Sequence, residues 1–385
     1  METSTHQQSL NEMMRQKIQN SIEKTQPKAK DAFARLVDEG KISRDFVKPL
    51  GIRLRNQSLP PVVTFGANGH VAMNVVHEGQ VLNFGLHDNA VGQVAEKLDI
   101  PSRYLKGLAG GEEWERQLAS TILNETSSWA SRQRVLLRTV GGQVRGVLSD
   151  SYKRLNSILI VEAFLQEVDF NGAVLIDGYM DETRMWFETI YPEPFDIPTE
   201  KNGIVTFAFG GRYSTSDYGD GASELRSFMK QGACLNGMVR NSVMRSVHLG
   251  SRLPDNIEIS NRTYQLDTRT QASAVKDITR GLFDKETLML RIAEIQNASL
   301  IEVDLQKELK NLSKAGMILK GEGEEIEKIF MKNKPEDGVA GESTLLKLTQ
   351  GITAHARTVN ERRQRELQEI AGSLMDRTAK MVKVA

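Results

Sequence analysis

Apolar residues first settle into a regular pattern at Val62. Upstream, residues 1 to about 45 are polar, rich in Gln, Lys and Glu, with short helical periodicity at Leu10, Met13, Met14 and Ile18. This stretch reads as a flexible or partner-dependent arm. From Val62, VVTFGANGHVAMNVVHEGQVLNFGL groups β-branched and aromatic residues between Gly and Asn, the pattern of short strands joined by tight turns. His87 to Leu108 changes to helical spacing, with Val91, Val94, Ala95 and Leu98 on one face and a second short helix opened by Pro101. The pair imitates a DNA-reading helix-turn-helix, but its second helix offers only Ser102, Arg103 and Lys106 to a groove, so a helical hairpin packed on a sheet is the better reading.

The densest strand signal is RQRVLLRTVGGQVRGVLSDSYKRLN. Val135, Leu136, Leu137 and Val140 lead into a Gly141-Gly142 turn, and Val144, Val147 and Leu148 form the return strand. An amphipathic helix from Ile158 to Val168 follows, then a second hairpin turning at Asp181-Glu182 and a strand, GIVTFAFGGRYS, ending at Gly210-Gly211. ASELRSFMKQGACLNGMV continues as a helix. Beyond Thr268 the strand signal disappears: Val275, Ile278, Leu282, Leu288, Ile292 and Ile295 recur at helical spacing, and a second helical block runs from Ser343 to Met381. Between these blocks GEGEEIEKIFMKNKPEDGVAGE reads as an acidic, glycine-rich linker. The expectation is an α+β chain with an arm (1–45), a core of antiparallel hairpins packed with helices (46–268), and a mainly helical C-terminal region (269–385) with its linker near 320–342.

Composition narrows the class. The chain has 385 residues, 50 Lys+Arg balanced by 50 Asp+Glu, and one cysteine. Cys234 therefore has no intrachain partner, which rules out an internal disulfide framework and favours a reducing, cytoplasmic setting. Small and apolar neighbours make that cysteine a packing residue rather than a nucleophile. No run of apolar residues suggests a signal peptide or a membrane span, so neither secretion nor membrane insertion is expected. No G-x-x-x-x-G-K-[ST], strand-linked G-x-G-x-x-G or H-E-x-x-H motif occurs, so the usual ATP, dinucleotide and zinc-protease chemistries lack support and no cofactor is expected. The six histidines are scattered, and only His70, His77 and His87 fall in one region.

Two basic stretches stand out in this neutral chain. Residues 132–154 hold Arg132, Arg134, Arg138, Arg145, Lys153 and Arg154 against Asp150 alone, a net +5; residues 225–252 hold Arg226, Lys230, Arg240, Arg245 and Arg252 with no acid, again +5. Arg132, Arg134 and Arg138 share one strand parity, as on a sheet with one cationic and one apolar face. Tyr152 and Tyr213, with Arg212, add stacking surfaces. Cations interleaved with aromatics suit single-stranded nucleic acid, because phosphates are neutralised while bases stack. The competing reading is that these arginines pair with acids from elsewhere. The loop SDYGDGASE also offers Asp217, Asp220 and Glu224, three hard oxygen ligands, although their spacing fails the EF-hand pattern.

The chain resembles a phage- and plasmid-like protein family, domain of unknown function nine-three-two. The residues that carry the resemblance are VLSDSYKRLNS (147–157), GACLNGMV (232–239), TLLKLTQGITAHAR (344–357) and RRQRELQEIAGSLM (362–375), within a span of roughly 60–375. It implies a home in mobile genetic elements and supplies no catalytic residues. The order of hairpins and helices is also similar to that of phage single-strand annealing proteins, whose ATP-independent rings hold DNA in a basic groove. The leading expectation is a cytoplasmic, self-associating single-stranded DNA-binding protein of recombination or replication, using Arg132, Arg134, Arg138, Arg145, Tyr152, Lys153, Arg154, Arg212, Arg240 and Arg245. One alternative is a protein-interaction or anti-defence role, with Leu345, Leu346, Leu348, Ile352, Ile370 and Leu374 facing a phage or host partner. Another is a metal-dependent nuclease built on Asp217, Asp220 and Glu224.

Overall fold

The computed structural model describes residues 2–54, 57–153, 155–232, 235–246, 260–334 and 339–382. The chain opens with a 41-residue helix, α1 (Glu2–Ile42), and continues into strands β1 (Ser43–Pro49), β2 (Arg53–Leu54), β3 (Gln57–Ser58), β4 (Val63–Ala67), β5 (Val71–His77) and β6 (Gln80–Leu86). Helices α2 (Asp88–Lys97), α3 (Ser102–Ala109) and α4 (Glu113–Trp129) lead to β7 (Arg134–Val140) and β8 (Gln143–Ser149). These strands form a six-stranded sheet in the order β1-β7-β8-β6-β5-β4, antiparallel except for the β6–β8 pair. Gly141 takes the positive φ (57°) that the tight β7–β8 turn requires.

The helical hairpin α2–α3 and helix α4 pack on one face of this sheet, where Val91, Val94, Leu105 and Leu123 meet Met73, Val75, Val135 and Leu137. Asn124 of α4 accepts from the Phe65 N–H at 2.8 Å and donates to the Phe65 carbonyl at 2.7 Å. One amide side chain thus takes both backbone groups of Phe65 on the edge strand β4, which would otherwise offer them for pairing with another chain.

After α5 (Ser157–Phe170) come β9 (Val174–Met180), β10 (Met185–Ile190), β11 (Phe195–Thr199), β12 (Gly203–Thr215), β13 (Ser223–Gln231) and β14 (Asn236–Ser246). They build a second antiparallel sheet, β14-β13-β12-β10-β9, with β11 also on β12. The remaining helices are α6 (Asn261–Phe283), α7 (Lys285–Leu300), α8 (Leu305–Lys314), α9 (Lys320–Lys332), α10 (Leu345–Ala356) and α11 (Glu361–Val382). The chain is α+β with a helical C-terminal region, and no described helix is long and apolar enough to cross a membrane.

Four expectations are corrected. The N-terminal arm is a helix laid along the edge of the second sheet: Met14, Ile18, Ala29, Ala32 and Leu36 are buried, Thr25 donates to the Ile176 carbonyl, and Gln26 to that of Leu175. Its buried stripe is thin and partly alanine, so composition alone reads as polar. The strand at GIVTFAFGGRYS does not stop at its glycines, because Gly210 serves close approach; a Cβ there would lie 1.8 Å from the Thr189 carbonyl oxygen. The segment after it forms β13 and β14 rather than a helix, with Ser223, Leu225, Ser227, Met229 and Gln231 buried at a period of two. The acidic linker contains α9, whose Ile326 and Phe330, four residues apart, insert into the core.

The C-terminal apolar residues are internal. Leu345, Leu346, Leu348 and Ile352 of α10 and Leu374 of α11 are at most 3% exposed, packed with Phe207, Phe209, Met229 and Met238 of the second sheet, with Ile370 half-buried against them. All twelve residues of α10 are buried, so this helix is the centre of a core rather than a docking face. The expected boundary at 268 therefore does not divide the packing. Leu348→Ala should lower the unfolding free energy by about 2–5 kcal/mol in urea titration, whereas an exposed partner-facing leucine would cost well under about 1 kcal/mol.

Candidate nucleic-acid interface

Arg134, Leu136 and Arg138 do share a face of β7, but that face is packed against the loop joining β12 to β13. Arg138 donates to Asp45 at 3.0 Å and to the Asp217 carbonyl at 2.9 Å. Burial works against its charge, yet Asp45 and Asp217 outweigh that cost and hold the guanidinium protonated above its ordinary range. Arg145 makes two bonds to Glu39 of α1, at 2.6 and 3.3 Å, and one to the Glu182 carbonyl at 3.2 Å. Arg134 stands 3.7 Å from Asp150. Tyr152 is buried, its hydroxyl donating to the Ser216 carbonyl at 3.1 Å, and burial followed by the Asp217 charge pushes its phenol up. The expected solvated cationic face is thus a charge-compensated seam between the two sheets. Arg132 is exposed but precedes β7, Lys153 is half-buried, and Arg154 and Cys234 lie outside the described residues.

The second cluster divides. Arg240 is 2% exposed and ties β14 to two helices through Glu294 of α7, at 2.8 Å, and Asp376 of α11. Arg212 is buried on Glu188, at 2.7 Å, and on Gln368 of α11, at 3.0 Å. Tyr213 is fully buried, sharing a hydrogen bond with Ser223 at 2.9 Å. Arg245 alone of these is open, with 64% of its side chain exposed beside Glu224 at 2.8 Å.

The three loop acids do not converge. Asp217 accepts from Ser157 at 2.6 Å, Asp220 accepts from Nε and Nη2 of Arg184 at 2.7 and 2.6 Å, and Glu224 pairs with Arg226 and Arg245. Burial pushes the Asp220 carboxyl up, but hydrogen bonds from Arg184 and Thr183 outweigh it and bring it below the ordinary carboxylate range. Among the described residues no group of three His, Cys, Asp or Glu side chains could hold a metal ion.

What the fold does assemble is a cleft of about 810 Å³ on a face of the second sheet, between α11 and the loop joining β12 to β13. In the β9–β10 hairpin Tyr179 and Trp186 pair directly, and their rings stack with centroids 6.1 Å apart and planes 20° apart. Arg365 of α11 lies over both, 4.5 Å from Trp186 and 5.1 Å from Tyr179, and Lys28 of α1 approaches Tyr179 at 5.7 Å. Trp186 Nε1 is buried without a hydrogen-bond partner, an indole donor left unspent beside the cleft. Around the rings stand Arg184, Arg212, Arg226, Arg245 and Arg365, matched by Asp181, Asp220, Glu224, Glu366 and Glu369. Of the residues marked from sequence, Arg212, Arg226 and Arg245 line this cleft, together with the loop acids Asp220 and Glu224. A hairpin turning at Asp181-Glu182 would set residue 179 opposite 184; the turn is instead closed by Asp181 and Arg184, which sets 179 opposite 186, so only the presence of the hairpin was readable. Arg365 was not, because α11 reaches the sheet only through the tertiary fold.

Compared with protein-family models, curated proteins and solved structures, the chain matches none. The resemblance drawn from its motifs rests on those motifs.

The two kinds of arginine should separate in stability. Arg240→Ala removes a buried guanidinium from between Glu294, which keeps Arg291 at 3.1 Å, and Asp376, and should cost about 3–5 kcal/mol in urea unfolding, whereas Arg245→Ala should cost less than about 1 kcal/mol.

Proposed function

We propose that this chain is an ATP-independent single-stranded DNA-binding protein of a phage or plasmid, acting in recombination or replication, and that it holds the strand in the cleft between α11 and the β12–β13 loop. The observation that carries the reading is the stacked Tyr179–Trp186 pair surrounded by guanidinium groups in one open cleft. Bases have an aromatic platform there once Arg365 shifts from the rings to a phosphate.

Energetics decide which cations can serve. Recruiting Arg138, Arg145, Arg212 or Arg240 would break buried pairs at about 3–5 kcal/mol each, more than a phosphate contact returns. Arg184 and Arg245 are 61% and 64% exposed, and their pairs with Asp220 and Glu224 are worth only about 0–1 kcal/mol, so a phosphate can displace the carboxylates. Two or three recruited cations give a salt slope of about −1.4 to −2.1 on a single strand, roughly a tenfold loss of affinity from 50 to 200 mM salt; the nine-cation surface read from the sequence would lose on the order of several thousandfold.

Fluorescence anisotropy with labelled single- and double-stranded oligonucleotides across a salt series tests this. Preference for the single strand, the shallow slope, and at least a tenfold weakening by Arg184→Glu with Arg245→Glu are expected. Absence of binding at low salt, or affinity unchanged in that variant, would overturn it.

A further inference from the structure

Two of the three tryptophans lie outside the cleft, on the outer face of α4. Trp114 is 62% exposed, Leu118 37% and Trp129 65%. With Thr121 and Glu125 they form one stripe at spacings of four, three, four and four residues. The stripe has no way to turn inward, because the opposite side of the helix is fixed to the first sheet by Ala119 and Leu123 and by the two hydrogen bonds between the Asn124 side chain and the Phe65 backbone. Single exposed hydrophobics are ordinary, but two tryptophans and a leucine aligned on one helix mark a contact surface.

The two ends of the stripe carry opposite charge, with exposed Glu125 between them. At the helix N-terminus stand the exposed Glu112 and Glu113. At the other end the Arg53 guanidinium lies 4.0 Å from the Trp129 ring centre, and exposed Arg132 is tied beside it by its backbone N–H, which donates to the Arg53 carbonyl at 2.6 Å. A polynucleotide or an anionic membrane would meet carboxylates over half of such a surface. A second copy turned end for end would not.

We infer that the outer face of α4 is a twofold contact between two copies of this chain. The midpoint of Trp114 and Trp129 falls between Thr121 and Ile122. An antiparallel α4 centred there sets Trp114 against the partner's Trp129, and Glu112 and Glu113 against the partner's Arg53 and the partner's Arg132. The symmetry repeats both contacts at the other end, roughly 22 Å away along the helix. One helix pair of this length belongs to the smaller class of interfaces, below about 1,200 Å² in total, so dissociation in the micromolar range is expected. The inference is independent of the cleft, and its outcome does not depend on DNA binding.

Sedimentation equilibrium of the full chain between about 1 and 100 µM should show a monomer–dimer equilibrium. Trp114→Ala with Trp129→Ala should raise the dissociation constant at least tenfold with an unchanged circular dichroism spectrum. A charge exchange separates a contact surface from a folding defect. The variant Glu112→Arg, Glu113→Arg and the variant Arg53→Glu, Arg132→Glu should each be monomeric alone, and an equimolar mixture should dimerise. A wild type that stays monomeric at 100 µM, a tryptophan variant that dimerises as tightly as the wild type, or a mixture that fails to pair would overturn the assignment.

Discussion

A guanidinium taken out of water must be given carboxylates, and this requirement organises the molecule. Arg138 and Arg145 rise from the first sheet, Arg212 and Arg240 from the second, and each is matched by an acid or a carbonyl on a different element. Arg145 joins the first sheet to α1, which in turn covers the edge of the second; Arg240 joins β14 to α7 and α11. An unpaired charge in these positions would cost more than most single side chains contribute to stability. The apolar cores fix the layers, and the ion pairs fix how the layers are joined.

The same requirement explains what could be read from the sequence. Local signals were sufficient for the β7–β8 and β9–β10 hairpins, for α2, α3 and α5, and for the helical C-terminus, because turn residues and period are properties of neighbouring positions. They failed where a segment is covered on both sides. In β13, Phe228 faces one layer and Met229 the other, so strand alternation is blurred, and Glu, Lys, Arg and Met lend it helical composition. They failed also for α1 and α9, whose buried stripes are narrow.

The arginine clusters were visible, but their partners were not. Asp45 is 93 positions from Arg138, Glu39 is 106 from Arg145, and Gln368 is 156 from Arg212. A net local charge of +5 along the chain thus becomes near neutrality in space. The cleft preserves the theme of cations beside aromatics, carried largely by other residues: Tyr179, Trp186, Arg184 and Arg365. Its balanced charge implies recognition led by stacking and by displacement of carboxylates, rather than by a broad positive field.

The central claim is that buried arginine–carboxylate pairs join the elements, and the Arg145–Glu39 link between the first sheet and α1 states it most directly. A double-mutant cycle by urea unfolding, with Arg145→Ala, Glu39→Ala and the two combined, measures that link alone. The account predicts a coupling energy of about 1–3 kcal/mol. A coupling below about 0.3 kcal/mol, with the two single changes simply additive, would contradict it.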